Sequence, residues 1–222
     1  MTVRAEEVKK GRKTKKPSKE RKILTAYFSI QEGREVILTG SKRMKERPIK
    51  VLVDVLKELG AEISYEENEG YPPIKIKGKK IVGGKIKIDG SISSQYVSAI
   101  LMMGPYLEEG LKINFVGDLV SKPYISMTVE MMKAFGAEVT LHDDCVVVAP
   151  QPYSTIVYQV EADWTSAAYW YELAALSKQS DLMIPGLARN SIQGDQVLVG
   201  LYEKLGVRTV FEEGAIRLLS SG

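Results

Sequence analysis

Three stretches of this chain end the same way, and that repetition restricts the fold more than any single motif. "LVDVLKELGAEISY" (52–65), "TVEMMKAFGAEVTL" (128–141) and "VGLYEKLGVRTVF" (199–211) each place apolar residues at i, i+3, i+4 and i+7, the spacing of one helical face. Each predicted helix stops at a glycine, Gly60, Gly136 or Gly206, the residue that enters the left-handed cap conformation without a Cβ clash. A short alternating strand follows each stop. A turn and a second strand come next, "PPIKIKG", "CVVVAP" and "AIRLLS", which is a hairpin pattern. Upstream, Gly40, Gly117 and Gly186 recur at intervals of 77 and 69 residues, each closing a short strand: "REVILTG", "LKINFVG", "SDLMIPG". Before those strands lie three more helical stretches, "KILTAYFSIQ", "SQYVSAILMMGPY" and "TSAAYWYELAALS". The predicted unit is helix, strand, helix, strand, strand, written three times. Its period exceeds that of the common solenoid repeats, so the expected class is α/β, three tandem compact modules.

"AILMMGPY" and "AAYWYELAAL" are apolar nearly all round, which predicts burial on most sides. Met102, Met103, Met131 and Met132 read as packing. Trp164, Tyr169 and Trp170 read as interior or interface aromatics.

Bulk properties exclude several classes. No apolar run approaches the ~18 residues of a membrane span, and the basic N-terminus has no apolar segment behind it, as a secretory signal requires. A single cysteine, Cys145, precludes an internal disulfide framework and suits a reducing, cytoplasmic setting. It lies in a strand expected to be buried and inert. With one histidine, His142, in the turn "HDD", no His/Cys metal site is expected. The net charge of +3 conceals an asymmetry. Residues 1–22 hold ten Lys/Arg against three Glu, whereas the remaining 200 residues hold 21 Lys/Arg against 25 Asp/Glu. The leader 1–22 is expected to be a disordered basic extension, having almost no apolar residues to bury. Nucleic-acid binding through it is the less favoured reading, since the body carries no basic excess. Residues 23–160 then hold two modules and 161–222 a third.

The junctions ahead of helices are where a ligand would sit. "TGSKRMKERPI" (39–49) gathers Lys42, Arg43, Lys45 and Arg47 before a helix with Pro48 near its first turn. Cations there oppose the helix dipole, and an anion held among them relieves the opposition; a solvated basic loop is the plain alternative. "VSKPYI" (120–125) places Ser121 and Lys122 before Pro123. In "ARNSIQGD" (188–195), Asn190 or Ser191 is expected to cap. In "GSISSQYVS" (90–98), Ser93 suits an N-cap and Ser94 a first turn; "DWTSAA", with Asp163 and Thr165, is its counterpart in the third copy. Capping alone accounts for the serines. The other reading is a phosphate held by hydroxyls and backbone N–H groups at aligned helix starts. No Walker loop, GxGxxG motif or nucleophile–base pair stands out.

"LTGSKRMKERPI", "GYPPIKIKG", "DGSISSQYVSAILM", "LVSKPYISMTVEMMKAFG" and "RNSIQGD" resemble, in order and from about Leu24 onward, the 3-phosphoshikimate 1-carboxyvinyltransferases, or EPSP synthases. The resemblance implies the enolpyruvyl transferase (inverse α/β prism-like) fold. It also implies a cytoplasmic transferase of the shikimate pathway, the route to aromatic amino acids. In its reaction the 5-hydroxyl of shikimate 3-phosphate adds to phosphoenolpyruvate, and the tetrahedral intermediate loses phosphate, without metal or organic cofactor. By the same resemblance Ser93, Ser94, Ser121 and Tyr124 are implied to hold shikimate 3-phosphate. Gln95 is implied to lie at the substrate ring, and Arg47 to bind phosphoenolpyruvate with a guanidinium suited to carboxylate or phosphate.

The resemblance also implies what is not encoded here. The family has six such units in two domains, with a crossover that would fall near residues 160–163. Its early Lys-Ser…Arg motif and its Asn-Ala-Gly-Thr motif, expected just before "LTAYF", do not occur, and "KKPSKERKI" stands in their place. Nor do its catalytic aspartate and lysine, so no catalytic residue is assigned. The expectation is a central portion of an EPSP synthase, inactive in isolation, with apolar surface that favours self-association. A UDP-N-acetylglucosamine enolpyruvyl transferase and a non-catalytic anion-binding half-fold are the alternatives. The former uses a loop cysteine, whereas Cys145 reads as strand.

Overall fold

The structure, a computed structural model, describes residues 2–4 and 19–221. Most of the basic leader, including residues 5–18, lies outside the described residues, and with it the disorder expected there. The chain divides into two compact units, residues 1–155 and 156–222.

The first unit contains two copies of one module. The first copy comprises β1 (Thr2–Arg4), α1 (Lys19–Ser29), β2 (Glu35–Leu38), α2 (Lys42–Lys45), α3 (Lys50–Glu58), β3 (Glu62–Tyr65) and β4 (Ile74–Lys77). The second comprises β5 (Gly84–Asp89), α4 (Ser94–Met103), β6 (Leu111–Val116), α5 (Lys122–Ala134), β7 (Val139–Leu141) and β8 (Cys145–Val148). Each builds its own four-stranded sheet in the same order, β1-β2-β4-β3 and β5-β6-β8-β7. The first two strands of each sheet run parallel and the other pairs antiparallel. The module therefore begins one strand earlier than the sequence pattern indicates. A parallel pair needs a helical crossover, and α1 and α4 are those crossovers. In the first copy the leading strand is Thr2–Arg4, which lies along the edge of β2.

The helix stops work as the sequence indicates. Gly60 and Gly136 have φ of 102° and 85°. Gly60 N–H donates to the Lys57 carbonyl at 2.9 Å and Ala61 N–H to that of Leu56 at 2.8 Å. Gly136 and Ala137 repeat the pattern onto Lys133 (2.8 Å) and Met132 (3.0 Å). These paired bonds satisfy carbonyls that a helix end otherwise leaves open, and they turn the chain straight into β3 and β7.

Both copies share one core. Ile49, Leu52, Leu56, Ile74 and Ile76 from the first meet Ile100, Leu101, Ile113 and Val146 from the second, all essentially unexposed. Each such side chain contributes roughly 1.5–3 kcal/mol by burial.

The second unit holds α6 (Trp164–Leu176), β9 (Gln179–Pro185), α7 (Leu198–Glu203), β10 (Val207–Glu212) and β11 (Ala215–Ser221). The strands form an antiparallel sheet ordered β10-β11-β9. Trp164, Ala167, Tyr171 and Ala174 of α6 are buried with Ile216 and Leu218. The expectation of burial on most sides of α6 is corrected here: Tyr169, Trp170, Leu173 and Leu176 are 48–80% exposed. One three-stranded sheet covers one stripe of a helix, whatever the composition of the opposite stripe. No helix among the described residues is long and apolar enough to cross a membrane.

A Cβ placed on Gly60 meets no atom within 4 Å, so the cost of Gly60→Ala is backbone strain alone. We expect that variant to lower the stability of the first unit by about 1–2 kcal/mol in urea unfolding followed by far-UV circular dichroism. An unchanged midpoint would contradict the left-handed cap.

Candidate anion-binding site

Gly90 brings two helix starts together. A Cβ at this position would stand 2.6 Å from the Asp118 carbonyl oxygen, so glycine is what lets the β5–α4 turn press against the β6–α5 turn. Gly90 N–H donates to the Val116 carbonyl at 2.8 Å, and Val120 N–H donates to the Gly90 carbonyl at 3.3 Å. Ser93 and Ser121 are the N-cap residues of α4 and α5, and neither side chain makes a capping hydrogen bond. Ser93 is exposed, Ser121 half-buried and Ser94 buried. The nearby carboxylate of Asp89 is held below the usual carboxylate range by Ser91, first through its side chain and then through its backbone N–H, which donates at 2.8 Å.

The first turn of α4 is also tied to the first module. Tyr96 Oη donates to the Pro48 carbonyl at 3.1 Å, next to Arg47. Gln95 Oε1 accepts from Lys22 Nζ at 2.7 Å, and the same ammonium lies 4.1 Å from the centre of the Tyr96 ring. Arg21, 4% exposed, donates from Nη1 to the Met44 carbonyl at 2.6 Å and from Nη2 to the Arg47 carbonyl at 3.4 Å. Its Nε is buried without a partner. Burial, and then the proximity of Arg47, lowers the Arg21 pKa against the opposing influence of Tyr96; burial, Arg21 and Arg47 lower that of Lys22. Among residues 21–220, whose side chains are described, no carboxylate pairs with Arg21, Lys22 or Arg47. Three cations near one helix start, without a counter-ion among the described side chains, make a locus of positive potential.

The remaining predicted features distribute differently. Of the four cations in "TGSKRMKERPI", Lys45 is paired with Glu67 at 2.7 Å, and Lys42, Arg43 and Lys45 lie in the short turn of α2. Arg47 is the member joined to α4, through Pro48. Pro48 directly precedes Ile49, the N-cap of α3, and so lies beside its first turn. Lys122 is paired with Asp143 at 2.7 Å, an exposed pair of small energetic weight. Tyr124, in the first turn of α5, is 57% exposed.

Ser191 caps no helix. Its Oγ accepts from Gln193 N–H at 3.0 Å and donates to Glu161 at 2.9 Å, while Gln193 is the N-cap of the 3-10 turn Gly194–Val197. In the third module Asp163 is a genuine cap: it accepts from Thr165 N–H at 3.0 Å and Ser166 Oγ at 2.8 Å. His142 is exposed and Cys145 buried. Arg21 and Lys22 escaped the sequence reading because they extend the basic leader without a break. The available signal was "ILTAYF" directly after them, which makes them the opening turn of an amphipathic helix.

The two four-stranded sheets, each with one helical crossover, form an α/β fold that solved enzymes share. Two solved structures of EPSP synthase from Acinetobacter baumannii superpose with TM-scores of 0.73 and 0.72 at 20% and 19% identity. The first covers 92% of this chain and 46% of the solved one. The profile of the EPSP synthase (3-phosphoshikimate 1-carboxyvinyltransferase) family matches residues 20–220. The 3-phosphoshikimate 1-carboxyvinyltransferase of Bacteroides fragilis is 46% identical over 202 residues, 90% of this chain and 49% of the relative. That of Haemophilus influenzae is 48% identical over 186 residues, 82% and 43% respectively. The chain belongs to the EPSP synthase family, and the UDP-N-acetylglucosamine alternative is not favoured. It spans about half the length of the curated relatives it matches.

The absence of side-chain capping at Ser93 and Ser121 has a measurable consequence. We expect Asp163→Ala to cost about 1 kcal/mol, as loss of a working cap does, and Ser93→Ala and Ser121→Ala to cost less than about 0.5 kcal/mol each, in urea unfolding. The Ser166 and Thr165 bonds hold the Asp163 carboxyl below its ordinary range. Its contribution is therefore complete above the unfolded pKa, about 3.9, and is lost as pH falls through the lower folded value. Equal costs for all three caps would contradict this assignment.

Proposed function

We propose that this chain carries one wall of an EPSP synthase active site, in which Ser93, Ser94 and Ser121 hold the phosphate of shikimate 3-phosphate. Tyr124 borders that substrate, Gln95 stands at its ring, and Arg47 meets phosphoenolpyruvate. The observation that carries this reading is the pair of uncapped serines, Ser93 and Ser121, at helix starts drawn together by Gly90. A hydroxyl engaged as a cap is already committed; these two are available to an anion, beside N–H groups at the positive ends of α4 and α5. Family membership supports the substrates. The reaction served is enolpyruvyl transfer to the 5-hydroxyl of shikimate 3-phosphate in the cytoplasm. The serines and cations supply binding and electrostatic stabilisation rather than proton transfer.

For the 222-residue chain alone we expect shikimate 3-phosphate to bind weakly, in the millimolar range of about −4 kcal/mol. In calorimetric titration, Ser93→Ala combined with Ser121→Ala weakens binding by about tenfold or more. Phosphate release with both substrates present stays at background; steady-state release above it would contradict the assignment of a single wall.

A second reading, self-association, is favoured by the exposed apolar stripe of Tyr169, Trp170, Leu173 and Leu176. Light scattering should show a mass that rises with concentration above 24.6 kDa, and Trp170→Glu should reduce that rise. A concentration-independent monomer would remove the reading.

A further inference from the structure

We propose that Lys22 is an additional ligand of the anion site, and that Arg21 beneath it is the positioning residue that holds Arg47 toward the same anion. The inference rests on the reading of Arg47 given above and extends it to two residues of α1 outside the matching motifs quoted above. Lys22 is half-buried on α1, yet no carboxylate of residues 21–220, whose side chains are described, pairs with it. Its contacts among them are neutral: Gln95 Oε1 at 2.7 Å and the face of Tyr96 at 4.1 Å. A partly desolvated ammonium whose charged neighbours among the described side chains are two guanidinium groups calls for an anion. The surrounding elements show where that counter-ion belongs. Gln95 and Tyr96 are in the first turn of α4, immediately after the uncapped Ser93. Arg47 is close enough to depress both neighbouring cations.

Arg21 acts differently. Its guanidinium is buried and spent on backbone, clasping the carbonyls of Met44 and Arg47 from below. Tyr96 holds the next carbonyl, that of Pro48. The Arg47 backbone is thus fixed between α1 and α4, and its own guanidinium is left for a ligand. The chemistry recognised is a phosphate or carboxylate, the two anionic groups of phosphoenolpyruvate. Lys22 serves as a point charge and Arg47 as a planar fork.

The test is titration of the full 222-residue chain with phosphoenolpyruvate, inorganic phosphate and pyruvate, followed by backbone amide chemical shifts. The three probes separate recognition of the phosphate from that of the carboxylate. Lys22→Met and Lys22→Gln should each weaken binding of whichever anion the parent chain takes by about tenfold, while Lys22→Arg should stay within about twofold. Gln at this position keeps a hydrogen bond to Gln95 without the charge, so its loss would report charge rather than packing. Arg21→Lys should weaken binding and move the Arg47 and Pro48-adjacent amide shifts before any anion is added. Lys45→Met, already neutralised by Glu67, should bind as the parent does. Parent-like binding by both Lys22→Met and Lys22→Gln, with Arg47→Gln impaired, would overturn the role of Lys22 and leave the site intact. Absence of binding of all three anions to the parent at 50 mM, on the order of the weakest useful affinity, would overturn the anion site itself and this inference with it.

Discussion

The contact on which the site depends is the approach of Gly90 to the Asp118 carbonyl. At 2.6 Å from any Cβ built there, no side chain fits without moving backbone. Two strand-to-helix turns that would otherwise be separated by side chains are therefore in direct hydrogen-bonded contact, through Val120 N–H on the Gly90 carbonyl. The helices α4 and α5 begin on either side of that contact. Their N-cap serines, which in most helices would close on their own backbone, do not. The shared core beneath, from Leu52 to Val146, keeps the two modules from shifting relative to one another.

Electrostatics follow from the same arrangement. A helix start carries partial positive charge, and α1 adds Arg21 and Lys22 to a corner that already holds Arg47. Several other cations of the first unit are paired: Lys45 with Glu67, Lys50 with Glu69, Lys75 with Glu35, Lys77 with Glu62. Such surface pairs contribute little stability, whereas cations gathered at the positive end of a helix repel it and one another, and an anion held among them offsets that repulsion.

Much of the fold was legible in the sequence because its signals are local. Gly60 and Gly136 announce helix ends through a backbone conformation that glycine alone adopts cheaply, and hairpins follow at once. The strand that opens each module was harder to see, since a parallel pairing partner lies a helix away. The exposed face of α6 was not legible at all. Periodicity cannot distinguish a helix covered on all sides from one whose second covering is not part of the sheet below it. In the site, Ser93, Ser94, Gln95 and Ser121 were visible at predicted helix starts. Arg21 and Lys22 were hidden by composition, as the last residues of a basic run, and only the contacts of α1 with Met44, Arg47 and Gln95 separate them from it. Lys45, by contrast, looked equivalent to Arg47 until its pairing with Glu67, 22 residues away, set it apart.

The central claim is that Ser93 and Ser121 face one phosphate. A crystal structure of the 222-residue chain soaked with shikimate 3-phosphate tests it most directly. The account predicts the phosphate between the starts of α4 and α5, with both hydroxyls within hydrogen-bonding distance. A phosphate bound elsewhere, with Ser93 and Ser121 instead closed onto their own helices as caps, would contradict it.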